Sequence, residues 1–129
     1  IYWKWTAFGF STPQGPAGAN FTDNMIKDQR AWNENAIWTP EAISLIGPVR
    51  FECDRKDLLK PWRITDEDGR IELDFTPQGI KSDHLNALII RNDYHQPYGL
   101  FNGKMVEDSG NVIEVINGFG VTEWFDALL

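Results

Sequence analysis

Apolar and polar residues alternate with a period close to two along most of the chain. Val49, Phe51 and Cys53 alternate with Arg50, Glu52 and Asp54, and Ile71, Leu73 and Phe75 alternate with Arg70, Glu72 and Asp74. Segments of this kind read as strands with one face in a core and the other in water. Asp66-Glu67-Asp68-Gly69 separates Trp62-Arg63-Ile64-Thr65 from the second run, and the Asp-Gly turn predicts a hairpin. A second hairpin is predicted from Lys104–Val106 to Val112–Val115 through residues 107–111. Tyr2 to Phe10 also alternates, with aromatics on both faces, which predicts a strand covered on both sides. Ser11 to Gly18 reads as a Pro/Gly loop. Residues 22–33 carry Met25, Ile26, Gln29 and Trp32 at helical spacing, so a short helix with Thr22 as N-cap competes there with a long loop. Further strands are expected at 35–39, 41–46, 86–95, 98–105 and 119–125, punctuated by Pro40, Pro48, Pro61, Pro77 and Pro97. About eight to ten short strands joined by short turns, with no crossover pattern, predict an all-β fold. Antiparallel up-and-down topology is favoured, in a sandwich or a barrel.

Composition narrows the function classes. The chain has 129 residues, which fits one domain over 1–129. Its net charge of -7 makes it a poor counterion for phosphates, so no nucleic-acid partner is expected. Cys53 is the single cysteine; it can form no intrachain disulfide and reads as a small core residue. The apolar runs fall far short of the ~20 residues of a membrane span, so none is expected. No signal-peptide layout is visible, which leaves a cytoplasmic location as the default. Residue 1 is not Met, and the Trp-rich start fits a piece of a longer chain. Asn20-Phe21-Thr22 matches a glycosylation sequon without other support for secretion.

Several phrases occur in a distinctive order: Trp3-Lys4-Trp5 with Gly9, Gly18-Ala19-Asn20, Asn33-Glu34-Asn35 and Lys60-Pro61-Trp62-Arg63-Ile64. Leu73-Asp74-Phe75-Thr76-Pro77, Asn86, His95 to Gly103 and Gly120-Val121-Thr122-Glu123 follow. The set resembles the C-terminal half of the domain of unknown function 2804 family, over about residues 3 to 124. Phe10 to Pro16 and Phe125 to Leu129 depart from the family pattern. The resemblance implies a longer parent with a further N-terminal domain as a partner. It also implies a calycin-type or lipocalin-like barrel, through a distant similarity to carotenoid hydratase-like two-domain proteins. It transfers no catalytic residue.

Candidate chemistry is sparse. Asp93 and His95 share a strand face at a spacing that suits a carboxylate–imidazole pair for acid–base work, or a charge row in water. The opposite face, with Leu88 and Ile90, is the more natural core side. Glu34, between two Asn and close to Trp38, reads as a buried acid with a raised pKa or as a turn satisfying its own backbone. Glu123, beside Trp124, is treated alike, with Arg63 or Arg91 as partners. Aromatics make 13% of the chain, enough to ask whether Trp3, Trp5, Trp38 and Trp62 surround a cavity or simply fill the barrel. Arg63 and Tyr98 complete the candidate lining. His84 and His95 have no carboxylate at metal-ligand spacing, and no phosphate cradle is present, so no metal and no cofactor are expected. The candidate functions are binding of a small hydrophobic, isoprenoid- or lipid-like ligand, a hydratase, isomerase or cyclase, and a structural half of a two-domain protein.

Overall fold

A computed structural model of the chain describes residues 1–86 and 91–128. Nine strands occur among them: β1 (Tyr2–Thr12), β2 (Gly15–Asn24), β3 (Ala36–Trp38), β4 (Ile43–Leu45), β5 (Val49–Glu52), β6 (Trp62–Asp66), β7 (Ile71–Asn86), β8 (Arg91–Val106) and β9 (Val112–Leu128). They form one sheet in the order β4-β3-β2-β1-β9-β8-β7-β6-β5, every pair antiparallel. Apart from the break between β4 and β5, each strand lies beside its sequence neighbours, and the first strand pairs with the last. This is the up-and-down, barrel-like architecture that the short turns predict. Only Ile46-Gly47-Pro48 separates the two edge strands, β4 and β5, so one kinked segment links both edges of the curled sheet. Main-chain bonds carry the pairing into that kink: Ile46 N–H donates to the Asn35 carbonyl at 3.0 Å and Glu67 N–H to the Pro48 carbonyl at 3.2 Å.

The inner face of the curl holds the core. Phe21, Trp62, Ile64, Ile71, Leu73, Phe75, Phe101 and Met105 are fully buried. Trp62 meets Phe75 edge-on at 6.1 Å, and Phe8 stacks on Phe101 at 4.3 Å. Phe8 and Phe101 lie on strands separated by β9, so the Phe8 ring must cross β9. It does so beside Gly118 and Gly120, where a Cβ would press on Phe8 itself.

Both predicted hairpins form. Gly69, at φ 72°, completes the first turn in a conformation that glycine adopts without strain. Other expectations are corrected. Ser11 to Gly18 is no loop: β1 and β2 turn tightly at Pro13-Gln14, and Ala17 and Ala19 of β2 enter the core. Residues 22–33 contain no helix; β2 runs to Asn24, and a bent loop follows. Asn24 accepts from the Ile26 N–H at 2.9 Å and Asp28 from the Ala31 N–H at 3.1 Å, so side chains supply the turns that a helix would have supplied. Thr22 is a strand residue and caps nothing. Pro97 does not end a strand, because β8 continues through it. Pro77 lies inside β7, where the register shifts between Pro77 and Gly79. The predicted Leu88–Ile90 stretch lies outside the described residues.

Candidate functional site

The alternation of β1 sorts its side chains. Lys4, Thr6 and Phe8 point to the inner face; Trp3, Trp5 and Ala7 point to the outer face. On that outer face a cleft of about 390 Å³ is lined by Ile1, Tyr2, Trp3, Trp5, Thr22, Asn24, Met25, Ile26, Glu34 and Glu123. The strands place Trp5 directly opposite Glu123 on β9 and Thr22 on β2. The loop after β2 brings Met25, Ile26 and Glu34 over them. Met25 and Ile26 remain 54% and 46% exposed, an unusual cost for two large apolar side chains on a loop.

Polar groups in the cleft are held in place. Trp3 Nε1 donates to Glu123 Oε1 at 2.7 Å, and Gln96 Nε2 donates to Glu123 Oε2 at 3.3 Å. The Tyr94 hydroxyl also bonds Glu123. Burial first, then the Glu123 charge and that hydrogen bond, push the Tyr94 pKa above its ordinary value. Trp3 stacks on Phe125 at 3.9 Å, which fixes its indole. Trp5 Nε1 donates to Asn20 Oδ1 at 2.8 Å, and Asn20 Nδ2 donates to the Glu34 carbonyl at 2.9 Å. The amide of the sequon Asn20 is therefore already engaged by protein groups.

The structure brings four of the predicted site residues together: Trp3, Trp5, Glu34 and Glu123. It separates the rest. Trp62 is buried in the core, so the four tryptophans share no cavity. Trp38 covers Gly18 lower on the outer face. Arg63 pairs with Asp74 at 3.1 Å rather than with Glu123, and the Arg91 side chain lies outside the described ones. Tyr98 packs against Gly79 on the outer face. Glu34 is exposed, not buried, because only its backbone and its neighbours Asn33 and Asn35 face inward contacts.

Asp93 and His95 do not pair with each other. They lie two apart on β8, and the antiparallel register sets His84 opposite Asp93 and Ser82 opposite His95. His84 Nδ1 contacts Asp93 Oδ1, and Ser82 Oγ lies 2.8 Å from His95 Nδ1. This row continues the inner face rather than the outer one. There His95 stacks on Trp124 at 5.8 Å, and the Arg55 guanidinium sits 4.9 Å over the same indole. Nearby, burial pushes the Cys53 thiol and the Asp23 carboxyl above their ordinary values, against the pull of Lys4 on both. Cys53 packs against the core as a small apolar residue would. Among the described residues, no group of three or more His, Cys, Asp or Glu is placed to hold a metal ion.

Sequence reasoning missed Thr22, Met25 and Ile26 as cleft residues, because their spacing reads as a helix. It also missed Ser82 and His84; recognising one unbroken strand through Pro77 would have exposed that pairing.

The ordered phrases on which these positions fall now have a match: the whole span 1–128 fits the family described as Domain of unknown function (DUF2804). The chain belongs to the DUF2804 family. No curated protein and no solved structure matches it. Several phrases of this DUF2804 chain have visible structural duties. Trp3-Lys4-Trp5 and Gly120 to Glu123 meet at the β1–β9 pairing, and Asn35 bridges strands. Asn35 Oδ1 accepts the Thr22 N–H at 2.7 Å, and its Nδ2 donates to the Gly47 carbonyl at 2.9 Å.

Proposed function

We propose that this DUF2804 domain binds a small hydrophobic ligand, isoprenoid- or lipid-like, in the outer-face cleft. The convergence of Trp3, Trp5, Met25 and Ile26 around about 390 Å³ carries the reading. That volume lies within the range of small-molecule sites, which are mostly apolar with a few fixed polar groups. Trp3 and Trp5 are pinned through their Nε1 atoms, so their rings are rigid walls, while Met25 and Ile26 sit on a loop that can adapt. Titration with retinol, a fatty acid and a carotenoid should give saturable quenching of tryptophan emission with at least one of them. Trp5→Leu should weaken it about tenfold or more. The absence of any saturable response across the panel removes the reading.

A second reading rests on the presence of both Glu34 and Glu123 in the same cleft. Two carboxylates beside an apolar ligand suit proton donation and abstraction, as a hydratase or isomerase requires. Glu34 is exposed, and Glu123 is oriented by Trp3, Gln96 and Tyr94. A bound isoprenoid alkene incubated with the domain in D2O should then take up deuterium, and Glu123→Gln should abolish the uptake. Asp93 and His95 stand on the opposite face of the sheet and take no part in this reading.

A further inference from the structure

We propose, resting on the cleft reading above, that the ligand carries a protonated amine on its apolar body. Among the described residues, those lining the cleft include two acidic ones, Glu34 and Glu123, and no Lys, Arg or His. Ile1 also lines the cleft, and its nitrogen donates to the Ala127 carbonyl at 2.9 Å. Glu123 receives its hydrogen bonds from an indole, an amide and a phenol, all neutral. Such donors orient a carboxylate without cancelling its charge. A ligand that displaces water from the cleft leaves that charge poorly solvated unless it supplies a cation.

Two further observations point the same way. Trp3 and Trp5 present aromatic rings to the cleft, and ring faces attract ammonium groups. Thr22 is only 8% exposed, lines the cleft, and its Oγ1 has no hydrogen-bond partner. Its backbone N–H is already taken by Asn35, so the hydroxyl oxygen alone is left over. A buried polar atom of this kind calls for a partner. An ammonium N–H can donate to Thr22 Oγ1 while its charge faces the carboxylates. A carboxylate head would meet like charges at the same place. The chain's net charge of -7 adds a general attraction for cations.

Calorimetric titration with decylamine, decanoate and decanol, at neutral pH and below micellar concentrations, tests the proposal. Decylamine should bind at least tenfold more tightly than decanoate or decanol. Thr22→Val, which keeps the side-chain shape, and Glu34→Gln, at an exposed position, should each cost decylamine at least threefold and cost it more than they cost decanol. Glu41→Gln, exposed between β3 and β4 and outside the cleft lining, should change neither. Decanoate or decanol binding as tightly as decylamine overturns the amine assignment and leaves the cleft reading standing. The amine assignment falls likewise if the Thr22 and Glu34 variants bind decylamine like the parent. If none of the three probes binds, the cleft reading falls and takes this one with it.

Discussion

Gly120 shows how much one missing Cβ decides. It sits on β9 opposite Gly99 of β8 and Phe8 of β1. A Cβ at Gly120 would run into the Ala7 carbonyl and the Phe8 backbone, and one at Gly99 into the Thr76 carbonyl. With both absent, neighbouring backbones come close enough for Phe8 to reach Phe101. Neither glycine has a left-handed φ, so the need is for space rather than for backbone freedom. Gly120→Ala should therefore destabilise the fold by about 1–3 kcal/mol, the usual cost of overpacking, as read by chemical denaturation. An unchanged midpoint would show that β1 can move aside. At this scale the sequence is only partly legible. Alternation identifies Phe51, Leu73 and Phe75 as core residues, but it cannot show that Asp93 faces His84. That pairing depends on a register set across a hairpin.

The hairpins from Trp62 to Phe75 and from Lys104 to Val115 are readable because β-branched and aromatic residues flank turns of Asp, Gly and Asn. β2 is not, because Gly, Pro, Ala and Asn give weak strand signals, and only partners on both sides hold it extended. The loop between β2 and β3 is unreadable for a related reason: its shape comes from ties to distant segments. Arg30 reaches across to Asp68 at 2.7 Å and Glu67 at 3.1 Å, on the β6–β7 turn. The pair rests on Gly47, where a Cβ would meet Arg30 Nη1 at 2.5 Å. The hydrogen bond from Arg30, then its charge, hold the Asp68 carboxyl below its ordinary value. A lowered folded-state value means that the tie contributes above the ordinary aspartate range and is lost as pH falls through the lowered value. Asp68→Asn should thus shift the denaturation midpoint slightly at neutral pH, since the pair is exposed. Wild type and variant should converge on acidification. A difference that persists in acid would mean that shape rather than charge makes the tie.

At the scale of the whole molecule, the fold is one curled sheet of antiparallel neighbours with β4 and β5 at its edges. Two joints define it: the Ile46-Gly47-Pro48 segment that links the edges and the β1–β9 pairing. The architecture is legible from strand spacing, whereas the cleft is not. It exists only because β1, β2 and β9 lie side by side and the loop that follows β2 folds over their outer face. The inner face, by contrast, is packed with Trp62, Phe75, Phe101 and Phe8, so filling rather than a ligand accounts for the aromatic load there.

The β1–β9 joint also sets a timetable. The hydrogen bonds across it link partners 126, 120 and 115 positions apart, as in Ile1–Ala127, Trp3–Glu123 and Thr6–Val121. Hairpins such as β6–β7 can close locally, but β1 has its second neighbour only once nearly the entire chain is available. Such pairs carry the largest loop-closure entropy, so the local hairpins are expected to form before this joint. Thr6→Val, within the joint, should therefore speed unfolding and leave refolding nearly unchanged in stopped-flow experiments. A change in the β6–β7 turn such as Gly69→Ala should slow refolding instead. The same delay leaves the β1 edge, with its two tryptophans, unpaired longest on the way to the native state.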